Sequence, residues 1–124
     1  MQILNGSRLS ACFFFALLLV LPGVSSGHAF PDHSDPKVGA TVSATPAKVR
    51  IWFDSDLEPA FSTIMVHSAN NEMVDKRDSR VNPDDPKLLE VSVPLLPRGT
   101  YHVYWNVVAR DGHRTTGDFT FTIK

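Results

Sequence analysis

Five histidines stand after residue 27: His28, His33, His67, His102 and His113. Two of them sit in contexts suited to metal chemistry. A histidine at a chain's N-terminus offers two nitrogens from one residue, the α-amine and Nδ1, and together they close a chelate ring on one ion. The amine has a reference pKa of about 7.7–8.0, so a strongly binding metal displaces its proton near neutral pH. His28 would have that amine only if the chain were cut before it, and a terminal histidine can equally have no role. The second context is Asp111-Gly112-His113. Glycine between the two lets a carboxylate and an imidazole project to one end of the fold. With His28 they would complete an N,N,N,O set, a ligation that suits tetragonal Cu(II). Taken alone, the tripeptide fits an Asp-Gly turn followed by an exposed histidine just as well.

The first 27 residues explain how His28 could become terminal. Arg8 supplies a positive start, residues 11–21 are an apolar run, and Pro22-Gly23 breaks it. Val24-Ser25-Ser26-Gly27 offers the small residues that a signal peptidase reads. The run is shorter than the roughly 18 residues or more of a membrane span. Residues 1–27 are therefore expected to be a secretory signal, cut between Gly27 and His28, with residues 28–124 as one mature domain. A cut after Ala29 also fits the small-residue pattern. Cys12, the only cysteine, would leave with the signal. That excludes a disulfide, thiol redox chemistry and cysteine-ligated zinc from the mature chain.

Composition sets the remaining bounds. The chain has 124 residues, 43% apolar and 20% charged, with a formal charge of −1. This is globular composition, and it argues against a protein held on nucleic-acid phosphates. No stretch after residue 27 has sustained helical periodicity. Instead, residues 49–53, 62–67, 89–93, 101–109 and 119–123 alternate apolar with polar, as strands with one buried face do. Turn-forming pairs such as Asn70-Asn71, Pro97-Arg98-Gly99 and Asp111-Gly112 separate them. The pattern predicts an all-β fold, a small seven-stranded immunoglobulin-like Greek-key sandwich. Leu96 to Tyr101 fits a tyrosine corner. Residues 77–87, the most polar stretch, read as an exposed loop. Trp105 is expected in the core, and Trp52 on the opposite face from Val49 and Phe53.

His28-Ala29 after the expected cut, with Tyr-x-Val-x-Trp-x-Val-x-x-x-Asp-Gly-His-x-x-x-Gly-x-Phe-x-Phe near the C-terminus, resembles the CopC family of periplasmic copper-binding proteins. The resemblance extends over the whole mature chain, through Val49 to Phe53, Phe61-Ser62 and Gly99-Thr100-Tyr101. It implies a β-sandwich that binds one Cu(II) ion through a histidine brace. The implied ligands are His28, through its amine and Nδ1, with Asp111 and His113. It further implies a non-enzymatic periplasmic protein for copper homeostasis or resistance, handing copper to a CopD-like membrane transporter or another acceptor. A monomer is expected, and no nucleic-acid partner.

The chain departs from that family in two places. Members often carry Phe-Ser-Glu-Pro after the second strand, with the glutamate near copper, whereas Phe53-Asp54-Ser55-Asp56 puts Ser55 there. Asp54 and Asp56 flank the position, and adjacent strand residues face opposite sides. Only Met65 and Met73 follow the signal, too few for a thioether cluster that would hold Cu(I). His33 could approach the same metal or stay a solvated loop residue, while His67 and His102 read as strand-surface residues. A histidine-brace oxidative enzyme would need a substrate surface that so small a domain, poor in exposed aromatics, hardly offers. A metal-free structural sandwich is the other alternative. No Gly-x-Ser-x-Gly, phosphate-loop or zinc-protease pattern is present.

Overall fold

The computed structural model describes residues 27–124. The signal segment expected over residues 1–27 therefore lies, apart from Gly27, outside the described residues. Eight strands follow in order: β1 (Pro31–Asp35), β2 (Thr41–Val42), β3 (Lys48–Phe53), β4 (Thr63–His67), β5 (Arg80–Val81), β6 (Leu88–Ser92), β7 (Gly99–Val108) and β8 (Arg114–Ile123). They form two four-stranded sheets, ordered β1-β3-β6-β5 and β2-β8-β7-β4. Among the described residues, no helix is long and apolar enough to cross a membrane.

Alternation explains the core. Val49, Ile51 and Phe53 of β3 are buried, as are Ile64 and Val66 of β4 and Leu89 and Val91 of β6. Tyr101, Val103, Trp105 and Val107 of β7 meet them from the second sheet, with Phe119, Phe121 and Ile123 of β8. Their removal from water is the main force holding the sheets together. Phe53 meets Trp105 edge-on, with ring centroids 5.3 Å apart. Gly117 sits opposite Trp105 in the register. A Cβ there would fall 2.3 Å from the indole, so only glycine leaves room for the ring. The expected tyrosine corner is present: the Tyr101 hydroxyl donates to the Pro97 carbonyl at 2.6 Å.

The sandwich has eight strands rather than the seven expected, and the additional ones carry little pattern. β1 is mostly exposed and is held by backbone pairing with β3. β2 and β5 are two residues each. The exposed loop expected over residues 77–87 is corrected by β5, which pairs with β6 and buries Val81. β8 starts at Arg114, ahead of the stretch over 119–123 that alternation marks, because β7 pairs with it from Val108; Thr115 and Gly117 take the inward positions there and carry no apolar signal.

Side chains cover one flank of the sandwich. The β4 amides of Ile64 and Val66 donate to Ser79 Oγ at 2.8 Å and Asp75 Oδ2 at 2.9 Å. The Ser92 amide donates to Asp78 Oδ1 at 2.7 Å. These bonds occupy edge groups that would otherwise invite another strand. They also lower the Asp78 carboxyl below the usual aspartate range, chiefly through Ser92. At one end, β7 and β8 pair continuously from Gly99↔Ile123 to Val108↔Arg114. Their connecting turn is thus carried on the longest rigid hairpin of the fold.

Candidate metal centre

The β7–β8 turn is built by its own backbone. The Ala109 amide donates to the His113 carbonyl at 2.9 Å, and the Gly112 amide to the Ala109 carbonyl at 2.8 Å. Gly112 takes φ +91°, a left-handed conformation that glycine adopts without strain. Asp111 closes the turn: its Oδ1 accepts the His113 amide at 3.0 Å, and its Oδ2 lies 3.0 Å from His113 Nδ1. The His113 amide, then the His113 side chain, hold the Asp111 carboxyl below the usual aspartate range. The carboxylate is therefore ionised throughout the neutral range and is a ready oxygen donor.

His28 comes to this turn from the other end of the sequence. Its ring lies 4.7 Å from that of His113, edge to face. Three contacts fix the segment behind it. Ala29 is fully buried in the core. Its carbonyl accepts the Thr115 hydroxyl of β8 at 2.7 Å. The Phe30 amide donates to Asp54 Oδ1 at 2.8 Å, and the Asp54 amide returns a bond to the Phe30 carbonyl at 3.0 Å. One end of the segment is thus stitched to β8 and to the exit of β3. His28 is left half-buried beside His113.

The three residues expected as ligands, His28, Asp111 and His113, are thereby neighbours. Among the described residues, however, no group of three His, Cys, Asp or Glu side chains is arranged to hold a metal ion. The donor chemistry accounts for this. One nitrogen of the expected set is a main-chain amine, and in the uncut chain it is the amide joining His28 to Gly27. The Asp111 carboxylate meanwhile faces His113 Nδ1. Asp111 and His113 side chains are 34% and 50% exposed, so both have room to turn toward an ion. Three nitrogens and one carboxylate oxygen fit Cu(II) once that amine is free.

The remaining candidates sit elsewhere. Asp54 is spent on Phe30, and Ser55 Oγ donates to Asp54 Oδ1 at 3.4 Å. Asp56 Oδ2 lies 3.8 Å from Arg110 Nη1, and its carbonyl accepts the Arg110 amide. His33, on β1, stacks on Trp52 at 4.4 Å and pairs with Asp32 at 2.8 Å. His67 and His102 are cross-strand partners on the outer face of the second sheet. Tyr104 contacts both rings, at 5.1 and 4.3 Å, and His102 also pairs with Asp118. Sequence reasoning missed two positioning residues, Asp54 in its actual role and Thr115. Their partners lie 24 and 86 residues away, and neither belongs to a motif.

Comparison with known proteins places the fold in a family. Residues 32–124 match the family model described as the CopC domain. The chain is 37% identical over 109 residues to protein YobA of Escherichia coli K12, with 86% of each chain covered. It is 32% identical over 107 residues to the copper transport protein CutJ of Bacillus subtilis, covering 86% of this chain and 20% of that protein. The chain thus spans about one fifth of that longer relative. The crystal structure of CopC from Methylosinus trichosporium OB3b superposes with a TM-score of 0.70 at 30% identity, over 78% of this chain and 94% of that one. A two-sheet sandwich with a histidine and an Asp-Gly-His turn at one end, matched by the family model over three-quarters of its length, belongs to the CopC domain family.

Proposed function

We propose that this chain is a periplasmic copper-binding protein that captures one Cu(II) ion in a histidine brace and passes it to an acceptor. Cleavage between Gly27 and His28 frees the amine. His28 then supplies that amine and Nδ1, His113 an imidazole nitrogen and Asp111 a carboxylate oxygen. The observation that carries this reading is the convergence of His28 on the turn, 4.7 Å from the His113 ring, with Asp111 Oδ2 3.0 Å from His113 Nδ1. Family membership and the copper-transport name of the CutJ relative support copper as the cargo.

The role is binding and transfer rather than turnover. The site is on an exposed turn, so an acceptor's ligands can reach the ion and replace the donors one at a time. A CopD-like membrane transporter or another periplasmic protein would receive it, and the protein acts as a monomer. Amine and imidazoles must be deprotonated to bind, so affinity falls as pH is lowered. The decisive test is a Cu(II) titration of two proteins, one starting at His28 and one retaining Gly27, read by affinity and EPR. Tight one-to-one binding that weakens sharply with Gly27 present is expected. Equal binding by both would remove the amine from the ligand set.

A further inference from the structure

Next to the candidate metal position the surface opens into a cleft of about 420 Å³. Gly27 and Asp111 border it on the metal side, and Ser55, Asp56, Lys87 and Arg110 complete it. Loss of Gly27 on cleavage opens the cleft further toward the freed amine. A molecule lodged there would lie within reach of an ion held by His28 and Asp111.

The charge balance around this cleft shifts with metal. Without an ion, Lys87 and Arg110 offset Asp56 and Asp111. Arg110 already faces Asp56 at 3.8 Å. Lys87 makes no ion pair among the described residues. Its backbone is nevertheless fixed: the amide donates to Asp85 Oδ1 at 3.1 Å, and the carbonyl accepts the Phe53 amide at 2.8 Å. A divalent cation beside Asp111 engages that carboxylate and leaves the cleft net positive, with Lys87 facing no carboxylate among the described residues. An anion is the natural neutralising partner. Two nearby carboxylates disfavour a doubly charged phosphate. A halide must meet the metal and a cationic side chain through one atom. A planar carboxylate divides the two contacts, with one oxygen toward the ion and the other toward Lys87, the cation of this cleft that no carboxylate already faces.

We propose that this cleft binds a small carboxylate as a co-ligand of the copper site, and does so only when the metal is present. The inference rests on the copper reading above. The carboxylate could be a free metabolite-sized anion or an Asp or Glu side chain of the acceptor. In the second case the cleft is where handover begins, because an acceptor oxygen enters the ion's surroundings before any ligand of this chain leaves.

The test uses the His28-starting protein loaded with one equivalent of Cu(II) in chloride-free buffer. Sodium formate and capped aspartate are titrated separately and followed by EPR and visible absorption. A saturable spectral change with a Kd on the order of 1–10 mM is expected for at least one of them. Stronger response to formate identifies a free anion, and stronger response to capped aspartate identifies a side chain. Lys87→Met, whose fold is checked by its thermal melt, should weaken the response roughly 3- to 10-fold, the loss of one charge-assisted bond. The metal-free protein should show no saturable shift of its Ser55 and Lys87 amide signals. An unresponsive spectrum, an unchanged response in Lys87→Met, or equal binding without metal would overturn the inference. Copper affinity indifferent to Gly27 would instead overturn the brace reading.

Discussion

Two carboxylates in this domain have cationic neighbours and opposite fates. Glu90 sits in the middle of the β1-β3-β6-β5 sheet and is 2% exposed. In the register it faces Arg50 on one side and Arg80 on the other. Arg80 Nη2 lies at 3.1 Å, Lys48 Nζ at 3.4 Å, Arg50 Nε at 3.6 Å, and Asn82 donates from 3.3 Å. Asp111 stands on a turn at the end of the sandwich, with His113 as its principal partner. Glu90 Oε1 takes Lys48, Arg80 and Asn82, its Oε2 faces Arg50, and burial closes the group to any ion from outside. Asp111 keeps acceptor capacity on an exposed face. The contrast teaches how one fold can assign carboxylates to tasks: burial under cations in mid-sheet makes a structural residue, and spare acceptor capacity at an exposed turn is what the proposed ligand role of Asp111 requires.

The largest effect that would break this comparison is on stability. Burial pushes the Glu90 carboxyl up, but the Arg80 hydrogen bond and the Lys48 charge outweigh it and hold the group below its ordinary value. A carboxyl lowered in the folded state contributes stability that is present above its unfolded pKa of about 4.3 and disappears as pH falls through the folded value. Glu90→Ala leaves three cations crowded together, two of them less than half exposed. It should cost about 2–3 kcal/mol in urea unfolding at pH 7, the cost should shrink as acid protonates the wild-type carboxylate, and copper affinity should be unchanged. An unaltered urea midpoint at pH 7 would show that Glu90 is not the staple its contacts describe.

Asp111→Ala should invert that outcome. The carboxylate is on an exposed turn, so the urea midpoint should hardly move. Cu(II) affinity should fall about 10- to 100-fold, and the EPR spectrum should change because an oxygen donor is lost. Asp111→Asn should restore little of it, since the charge is what the ion requires. A variant that binds copper with wild-type affinity and spectrum would place the oxygen ligand elsewhere.

The same contrast marks what the sequence reveals. The five longer alternating strands are legible because one face of each is apolar, and the Asp111-Gly112-His113 turn is legible because its residue types are unusual together. β1 is not, because an edge strand wet on most of its surface needs no apolar period. The burial of Glu90 is hidden from the sequence for the opposite reason. Alternation puts it on the outward face of β6, where a charge reads as solvated, yet Lys48, Arg50 and Arg80 close over it. Local pattern reports which side of a sheet a residue faces. It does not report what neighbouring strands lay across that side, nor that Asp54 waits for an amide 24 positions upstream.

Asp54 is the intermediate case and gives the smallest and sharpest prediction. It is exposed like Asp111 but committed like Glu90, with its Oδ1 on the Phe30 amide two residues from His28. On the proposed reading it would position the brace without touching the ion. Asp54→Ala should free the segment, and Cu(II) affinity should fall about 3- to 10-fold as the lost order is made up on binding. The EPR spectrum of the loaded protein should remain that of the wild type, because the ligands are the same. Asp54→Asn, which keeps an acceptor for Phe30, should recover most of the affinity. A changed spectrum in Asp54→Ala would make this carboxylate a ligand, and it would then belong with Asp111 rather than between the two.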